Sequence, residues 1–342
     1  MNPSVEQTIA EVAAQHSDRR LHVFRVQVES VHGQRVKLIG RVLEQDNLRA
    51  LRNALAARHP QLVIDDSAVQ LLRRDPPVMH TVATNLTDLH VEPSFLAEML
   101  TQVFCGTELE ILDERDRWHF VRQRDGYLGW VYKSYLAATI AHEPPTHVVV
   151  SPSVTVRGEC SMDSRPITQL LAGSPVHVTE KRDRCARITA PATMLSAGWV
   201  ALNALRTLPP KPSREQLIAD ARQFTGVYYL WGGNTAWGLD CSGLVQIVHR
   251  MNSVIIPRDA DMQFAAGRPV EPPYQPGDLL FFSSSAAGGE GEGRKITHVG
   301  LSTGGWNMIH SSRFHNGVYE DDVQARPHLR DSFVAGRSFV ER

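Results

Sequence analysis

The feature that most constrains this chain is a pattern of short strands that occurs twice. Gly106-Thr-Glu-Leu-Glu-Ile-Leu leads on to Gly129-Trp-Val-Tyr-Lys-Ser-Tyr-Leu136, and Gly173-Ser-Pro-Val-His-Val-Thr leads on to Gly198-Trp-Val-Ala-Leu-Asn-Ala-Leu205. Gly106 to Trp130 spans 24 positions and Gly173 to Trp199 spans 26. A repeat of about 67 residues built from short strands and turns predicts two small β-barrels in tandem. They occupy residues 78–140 and 145–208, which leaves one segment before them and a longer one after. The 342 residues are 42% hydrophobic and 21% charged, enough apolar material for each segment to bury a core.

The barrels resemble bacterial SH3-type domains, in which a Gly-Trp-Val sequence closes the last strand. Ahead of them, residues 5–15 have amphipathic helix spacing. Leu21 to Val28 and Arg35 to Val42 read as a hairpin turned at Gly33. Leu48, Leu51, Leu55 and Ala56 put a helix over 46–58, and Leu62-Val-Ile64 starts a further strand. Residues 1–75 are therefore expected to form a small α+β domain, with a pattern that resembles BON-type modules of cell-envelope proteins. Arg73-Arg-Asp-Pro-Pro77 and Thr207-Leu-Pro-Pro-Lys-Pro-Ser213 are the linker candidates.

From residue 213 the texture changes. Gln216 to Phe224 is expected to be a helix with Ser213 as its N-cap. Cys241-Ser-Gly-Leu-Val-Gln-Ile-Val-His-Arg250 has a helix's apolar spacing and begins on the cysteine. A helix N-terminus presents unpaired N–H groups and the positive end of the dipole, so Cys241 is expected to have a depressed pKa and to serve as a thiolate nucleophile. Such a nucleophile needs a base, and the base needs an orienting group. Ile296-Thr-His-Val-Gly-Leu-Ser302 and Met308-Ile-His310 flank a Gly-rich turn. A turn centred on Gly304 would set His298 and His310 directly opposite each other, about 4.5–5.5 Å apart at Cβ. His315 lies beyond the paired strand and is not expected in the set. His249 is expected to be a surface or packing residue, and Trp231 and Trp237 to pack or line the cleft. Ser283 to Gly293 is low in complexity and reads as a loop at the site rim.

Tyr229-Leu-Trp-Gly-Gly233, Leu239-Asp-Cys-Ser-Gly-Leu-Val-Gln246, Ile255-Ile-Pro-Arg-Asp259, Pro276-Gly-Asp-Leu-Leu-Phe-Phe282, Thr297-His-Val-Gly-Leu301 and Met308-Ile-His310 resemble the NlpC family of cysteine peptidases. The resemblance covers about residues 213–342. It implies a papain-like catalytic domain with Cys241 as nucleophile, His298 as base and His310 as the orienting third residue. The fold class expected is α+β: this domain, two SH3-like barrels before it, and the small N-terminal domain. Two such barrels ahead of such a domain resemble γ-D-glutamyl-L-diamino acid endopeptidases of peptidoglycan recycling. That implies a murein peptide substrate with a free N-terminal L-Ala, cut after γ-D-Glu. Asp240 beside the nucleophile would raise the thiol pKa unless it binds a cation, and the substrate ammonium is the cation the resemblance implies. Ser242 and Tyr229 are expected around the amine, with Tyr127 and Glu92 as candidates from the first barrel. The alternatives are a cell-wall binding or adaptor protein with an inactive catalytic domain, and an amidase or acyltransferase on the same fold.

Charge excludes other classes. The 36 Lys and Arg nearly cancel 37 Asp and Glu, which argues against a nucleic-acid or polybasic membrane partner. Cys105, Cys160, Cys185 and Cys241 make no CxxC pair, so neither a structural zinc nor a disulfide framework is expected, and no metal or cofactor is called for. The first three cysteines are expected to be packing residues. Residues 1–7 have no basic or apolar leader pattern, which leads to the expectation of a cytoplasmic protein unless a leader has been removed. The sequence leaves open the oligomeric state and the choice between diaminopimelate and lysine in the substrate.

Overall fold

The computed structural model describes residues 4–139, 143–189, 197–211, 213–283 and 295–341. Residues 284–293 of the low-complexity stretch lie outside them. The chain divides into two compact units, one of residues 1–80 and 109–133 and the other of residues 81–108 and 134–342. Among the described residues no helix is long and apolar enough to cross a membrane.

In the first unit, strands Phe24–His32, Arg35–Val42 and Val63–Leu71 form one sheet, the first pair antiparallel and the second parallel. The hairpin turns at Gly33, as its sequence demands, because that residue sits at φ +60. The first strand runs further along the chain than expected, with a register shift between Val28 and Ser30. Helices Val5–Ala14 and Gln45–Arg58 cover the sheet with Ile9, Val12, Leu48, Leu51 and Leu55, which meet Val36, Leu38 and Val42. The meander Glu108–Arg115, Trp118–Arg122 and Leu128–Tyr132 belongs from residue 109 onward to the same unit. Leu112 and Leu128 pack with Leu43 and Leu72 of the N-terminal segment, and Arg73 donates to Glu110 at 2.8 Å. The Arg73 to Pro77 stretch therefore joins two bodies that share a core.

The repeat seen in the sequence returns as equivalent strand pairing. Gly129 pairs with Val121 and Trp130 with Phe120; Gly198 pairs with Ile188 and Trp199 with Arg187. Each Gly-Trp-Val strand leads into a single 3-10 turn, Lys133–Tyr135 or Leu202–Ala204. Gly198 has to be glycine, since a Cβ there would lie 2.4 Å from Val156 Cγ1. The second barrel has a seven-stranded sheet around Val149, Val156, Leu170, Val176, Ile188 and Val200. One expectation fails in this barrel. Cys160 and Cys185 are joined by a disulfide, because the loop after strand Ser153–Arg157 folds back onto the end of strand Pro175–Arg182. Only Cys105 and Cys241 are free. Cys105 is a packing residue as expected, buried, its thiol pushed up to about 12 by burial.

The last 130 residues form a six-stranded sheet in the order Arg268–Val270, Phe333–Ser338, Leu279–Ser283, Ile296–Gly304, Asn307–Ser312, Gly317–Asp322. Helix Arg214–Arg222 is capped by Ser213, whose Oγ accepts from the Gln216 N–H. Helix Cys241–Met251 lies on the sheet. Its Leu244, Val245, Val248 and Met251 are fully buried in one core with Leu279, Phe281, Val299, Leu301 and Ile309. At about 1.5–3 kcal/mol for each buried large apolar side chain, this face alone fixes the helix against the strands that carry the histidines. The fold class is the α+β architecture expected, with a papain-like domain and SH3-like strands before it.

Candidate active site

The helix start is built by its cap. Asp240 Oδ1 accepts from the Gly243 N–H at 2.6 Å, and Oδ2 accepts from the Gly232 N–H at 2.9 Å. Arg258 closes the arrangement, donating from Nη1 to Oδ1 at 3.0 Å and from Nη2 to Oδ2 at 2.6 Å. Ser242 Oγ donates to Asp240 Oδ1 and accepts from Arg258 Nη1. Asp240, Ser242 and Arg258 are all buried. Asp240 and Ser242, expected around a substrate ammonium, already engage a cation of the chain itself, Arg258. The guanidinium is planar and bidentate, and so it satisfies a buried carboxylate fully. It lies 18 positions along the chain from Asp240, a separation at which nothing local links the two residues.

Cys241 is the first residue of the helix and is buried, in one core with Val299, the residue after His298. The thiol is pushed up to about 12. Burial is the main cause, Asp240 adds to it, and the Val299 and Ser242 N–H groups and Arg258 offset part of it. The expected depressed pKa is therefore overturned, because removal from water outweighs the helix terminus.

His298 Nε2 and His310 Nδ1 lie 2.7 Å apart, with the two rings edge to face. The register differs from the expected one. Leu301 pairs with Ile309 and Ser302 with Met308, and a shift between Ser302 and Gly304 moves the turn to Gly305 and Trp306. His298 and His310 are thus diagonal neighbours on one face of the sheet, not directly opposed. Diagonal neighbours of this kind are still within reach of long or aromatic side chains.

Beyond His310 the chain of polar contacts continues. His310 Nε2 lies 3.1 Å from Asp321 Oδ2, and His315 Nε2 lies 2.7 Å from the same oxygen. Arg326 Nε donates to Asp321 Oδ1 at 2.8 Å. His315, which the sequence left outside, joins the cluster because the turn after strand Asn307–Ser312 folds back over Asp321. Asp321 and Arg326 carried no motif and were missed. The His310 bond, with those from His315 and Arg326, holds the Asp321 carboxyl well below the usual carboxylate range. His298 is driven well below its ordinary pKa by burial, with His310 and His328 adding to it. His310 is lowered by burial against the opposing pull of Asp321. Among the described residues, His310, His315 and Asp321 are the group whose ligand atoms lie close enough for a metal ion, all within 4.8 Å. Arg326 already supplies a cation to that carboxylate, which disfavours a second one there.

Tyr229 stands near Cys241, and its phenol is pushed up to about 12 by burial first and then by Cys241 and Asp240, while a hydrogen bond from Arg313 pulls the other way. Arg313 lies over the rings of Tyr229 and Trp231, 5.5 and 5.4 Å from their centroids. Trp231 and Trp237 are exposed, and Trp231 Nε1 donates to Glu98 Oε1 at 2.7 Å. Glu98 ends the connection from Leu86–His90 to Met99–Phe104, which also carries Glu92, an exposed residue. The strand Met99–Phe104 is stapled to the catalytic domain: Thr101 Oγ1 accepts from Arg258 Nε, and a Cβ on Gly232 would lie 2.5 Å from Met99 O. Tyr127 is buried in the other compact unit, where its N–H donates to Asp125. His249 is buried, with Nδ1 2.8 Å from Val245 O, and is a packing residue.

Comparison with known proteins gives the family of the segment that carries this site. The NlpC/P60 family model matches residues 226–337, and the model of the bacterial dipeptidyl-peptidase Sh3 domain matches residues 89–136. A gamma-D-glutamyl-L-lysine dipeptidyl-peptidase of Bacillus subtilis is 30% identical over 223 residues, which cover 62% of this chain and 72% of that one. A protein of the same name from Bacillus cereus is 28% identical, over 64% of this chain and 68% of that one. The crystal structure of an NlpC/P60 family protein from Bacillus cereus superposes with a TM-score of 0.66 at 20% identity, covering 77% of this chain and all of that one. The family model lies on the segment that carries the buried thiol and the paired imidazoles, and the chain belongs to the NlpC/P60 family of cysteine peptidases.

Proposed function

We propose that this protein is a peptidoglycan peptidase that hydrolyses murein stem peptides at the bond from γ-D-Glu to the diamino acid, releasing L-Ala-γ-D-Glu from peptides with a free amino end. The observation that carries the chemistry is the packing of the Cys241 helix start into one core with Val299, the neighbour of His298 on its strand, where His298 in turn meets His310 at 2.7 Å. The bond cleaved is inferred from the two similar gamma-D-glutamyl-L-lysine dipeptidyl-peptidases, which match 64% and 62% of this chain.

In this reading the resting pair is neutral. As Cys241 Sγ attacks the carbonyl carbon, its proton passes to His298 and a C–S bond forms. His298 then gives the proton to the leaving amine and the C–N bond breaks, which leaves a thioester. A water molecule, losing its proton to His298, attacks the thioester, and the acid and the free thiol are released. The backbone N–H of Cys241, in the first turn of its helix and without an intrahelical acceptor, is suited to the developing oxyanion. His310 holds the His298 ring. Because Asp240 and Ser242 are engaged by Arg258, amine recognition falls to groups at the rim, with Tyr229 beside the thiol and Glu92 and Glu98 on the connection of the first barrel.

The test compares rates on L-Ala-γ-D-Glu-L-Lys, its diaminopimelate counterpart and the N-acetylated forms, with products read by mass spectrometry. L-Ala-γ-D-Glu should appear from the free peptides, and the acetylated ones should be cut at least about tenfold more slowly, the effect of about 1.4 kcal/mol. Equal rates on both forms would refute recognition of the free amine. An inactive or adaptor protein would release no dipeptide from any of them.

A further inference from the structure

From the order of donors and acceptors along the chain of contacts, we infer that Asp321 is a positioning residue that sets the tautomers of two histidines in series and thereby leaves Nδ1 of His298 as the base nitrogen. The inference deepens the proposed peptidase mechanism and rests on it for the role of His298.

The argument starts at the carboxylate. An ionised carboxylate only accepts hydrogen bonds. Arg326 donates to Oδ1 at 2.8 Å, and both His315 Nε2 and His310 Nε2 reach Oδ2, at 2.7 and 3.1 Å. His310 must then carry its proton on Nε2. A neutral imidazole has one proton, so its Nδ1 is bare and can only accept. That nitrogen lies 2.7 Å from His298 Nε2, which must be the donor and must carry the His298 proton. The remaining nitrogen of His298, Nδ1, is left unprotonated. Burial keeps both rings neutral at ordinary pH, so the assignment passes through both rings without ambiguity. Were Asp321 a donor, every proton in the row would shift by one place and His298 would hold its proton on Nδ1, where a base cannot. The cationic Arg326 and the His315 donor hold the carboxylate in its ionised, accepting state. His328, the other titratable neighbour of the two rings, acts on them through charge.

The substitution Asp321→Asn tests this. Arg326 can only donate, so it draws the new amide oxygen toward itself and turns the amide NH2 toward His310. His310 Nε2 then has to accept, and the row of protons reverses. The experiment uses the full chain with 15N-labelled histidine, and ring nitrogens are assigned with single-histidine variants. In the wild type at neutral pH, His298 and His310 should both show protonated Nε2 and bare Nδ1. In Asp321→Asn the pattern should invert, and kcat on the free tripeptide should fall on the order of 10²-fold, the lower end of what a general base contributes, with KM changed less than about threefold. A wild-type His298 protonated on Nδ1 overturns the inference. So does an Asp321→Asn protein with unchanged tautomers and unchanged kcat. If that variant does not fold, the wild-type spectrum alone decides. The same spectrum recorded on Cys241→Ala needs no turnover, so a failure of the proposed peptidase activity is told apart from a failure of the tautomer assignment.

Discussion

His298 Nε2 meets His310 Nδ1 at 2.7 Å from diagonal positions on neighbouring strands. The turn at Gly305 and Trp306 would by itself offset the two by three residues; the irregular pairing between Ser302 and Gly304 takes one back, and the resulting offset of two leaves both rings on one face. What the two rings share is therefore a hydrogen bond between specific nitrogens rather than mere proximity, and removing either ring should have a different consequence.

His298→Ala should reduce hydrolysis of the free tripeptide about as far as Cys241→Ala does, since members of one catalytic unit do not contribute additively. His310→Asn should cost less, because an amide can accept from His298 in place of Nδ1. His315→Ala should leave kcat within about tenfold, as His310 and Arg326 still hold Asp321. Steady-state kinetics on the three variants decides. A His315→Ala loss equal to that of His298→Ala would move the catalytic set to the wrong residues.

Cys241 should behave as a protonated thiol at neutral pH. Its raised pKa means that the thiolate fraction grows only as pH climbs toward about 12. The rate of iodoacetamide alkylation, followed by mass spectrometry in the absence of substrate, should keep rising above pH 9, beyond the midpoint of an ordinary cysteine near about 8.5. A plateau reached between pH 4 and 7 would instead reveal a preformed thiolate–imidazolium pair.

Asp240→Asn should act first on stability. The substitution leaves Arg258 buried beside a neutral amide, and breaking a buried, hydrogen-bonded ion pair costs about 3–5 kcal/mol. Urea denaturation should show that loss in the midpoint, with the slope unchanged. A variant of wild-type stability that had lost only its preference for free-amine peptides would restore Asp240 as the amine ligand.

Reducing the Cys160–Cys185 bridge should destabilise the second barrel. The two residues are 25 positions apart, and a loop of that length corresponds to about 3–4 kcal/mol in the chain-entropy account. Thermal melts with and without reductant give the number. Bridges of this kind persist in oxidising compartments, whereas a cytoplasmic protein would carry the pair as thiols, so thiol counting on protein taken from cells also tests the compartment. Full reactivity of Cys160 and Cys185 in native protein would remove the bridge from the account.

The amino-acid sequence by itself determined what is periodic or local. The doubled Gly-Trp-Val pattern specified two stretches of short strands with equivalent pairing, apolar spacing from Cys241 specified a helix that begins on the cysteine, and Ser213 specified the cap of the helix before it. The Gly-rich turn specified a hairpin with His298 and His310 on neighbouring strands, and the even offset between them in the final pairing puts both rings on one face. Tertiary structure alone decided the rest. The register depended on a pairing irregularity that turn residues do not encode. The pKa of Cys241 depended on how completely the sheet covers it, and burial outweighed the helix terminus. Arg258 reached Asp240, Cys160 reached Cys185, and Arg326 and His315 reached Asp321 only after the chain had folded back. Each of these contacts depends on a distance in space, which the spacing of residues along a chain does not set.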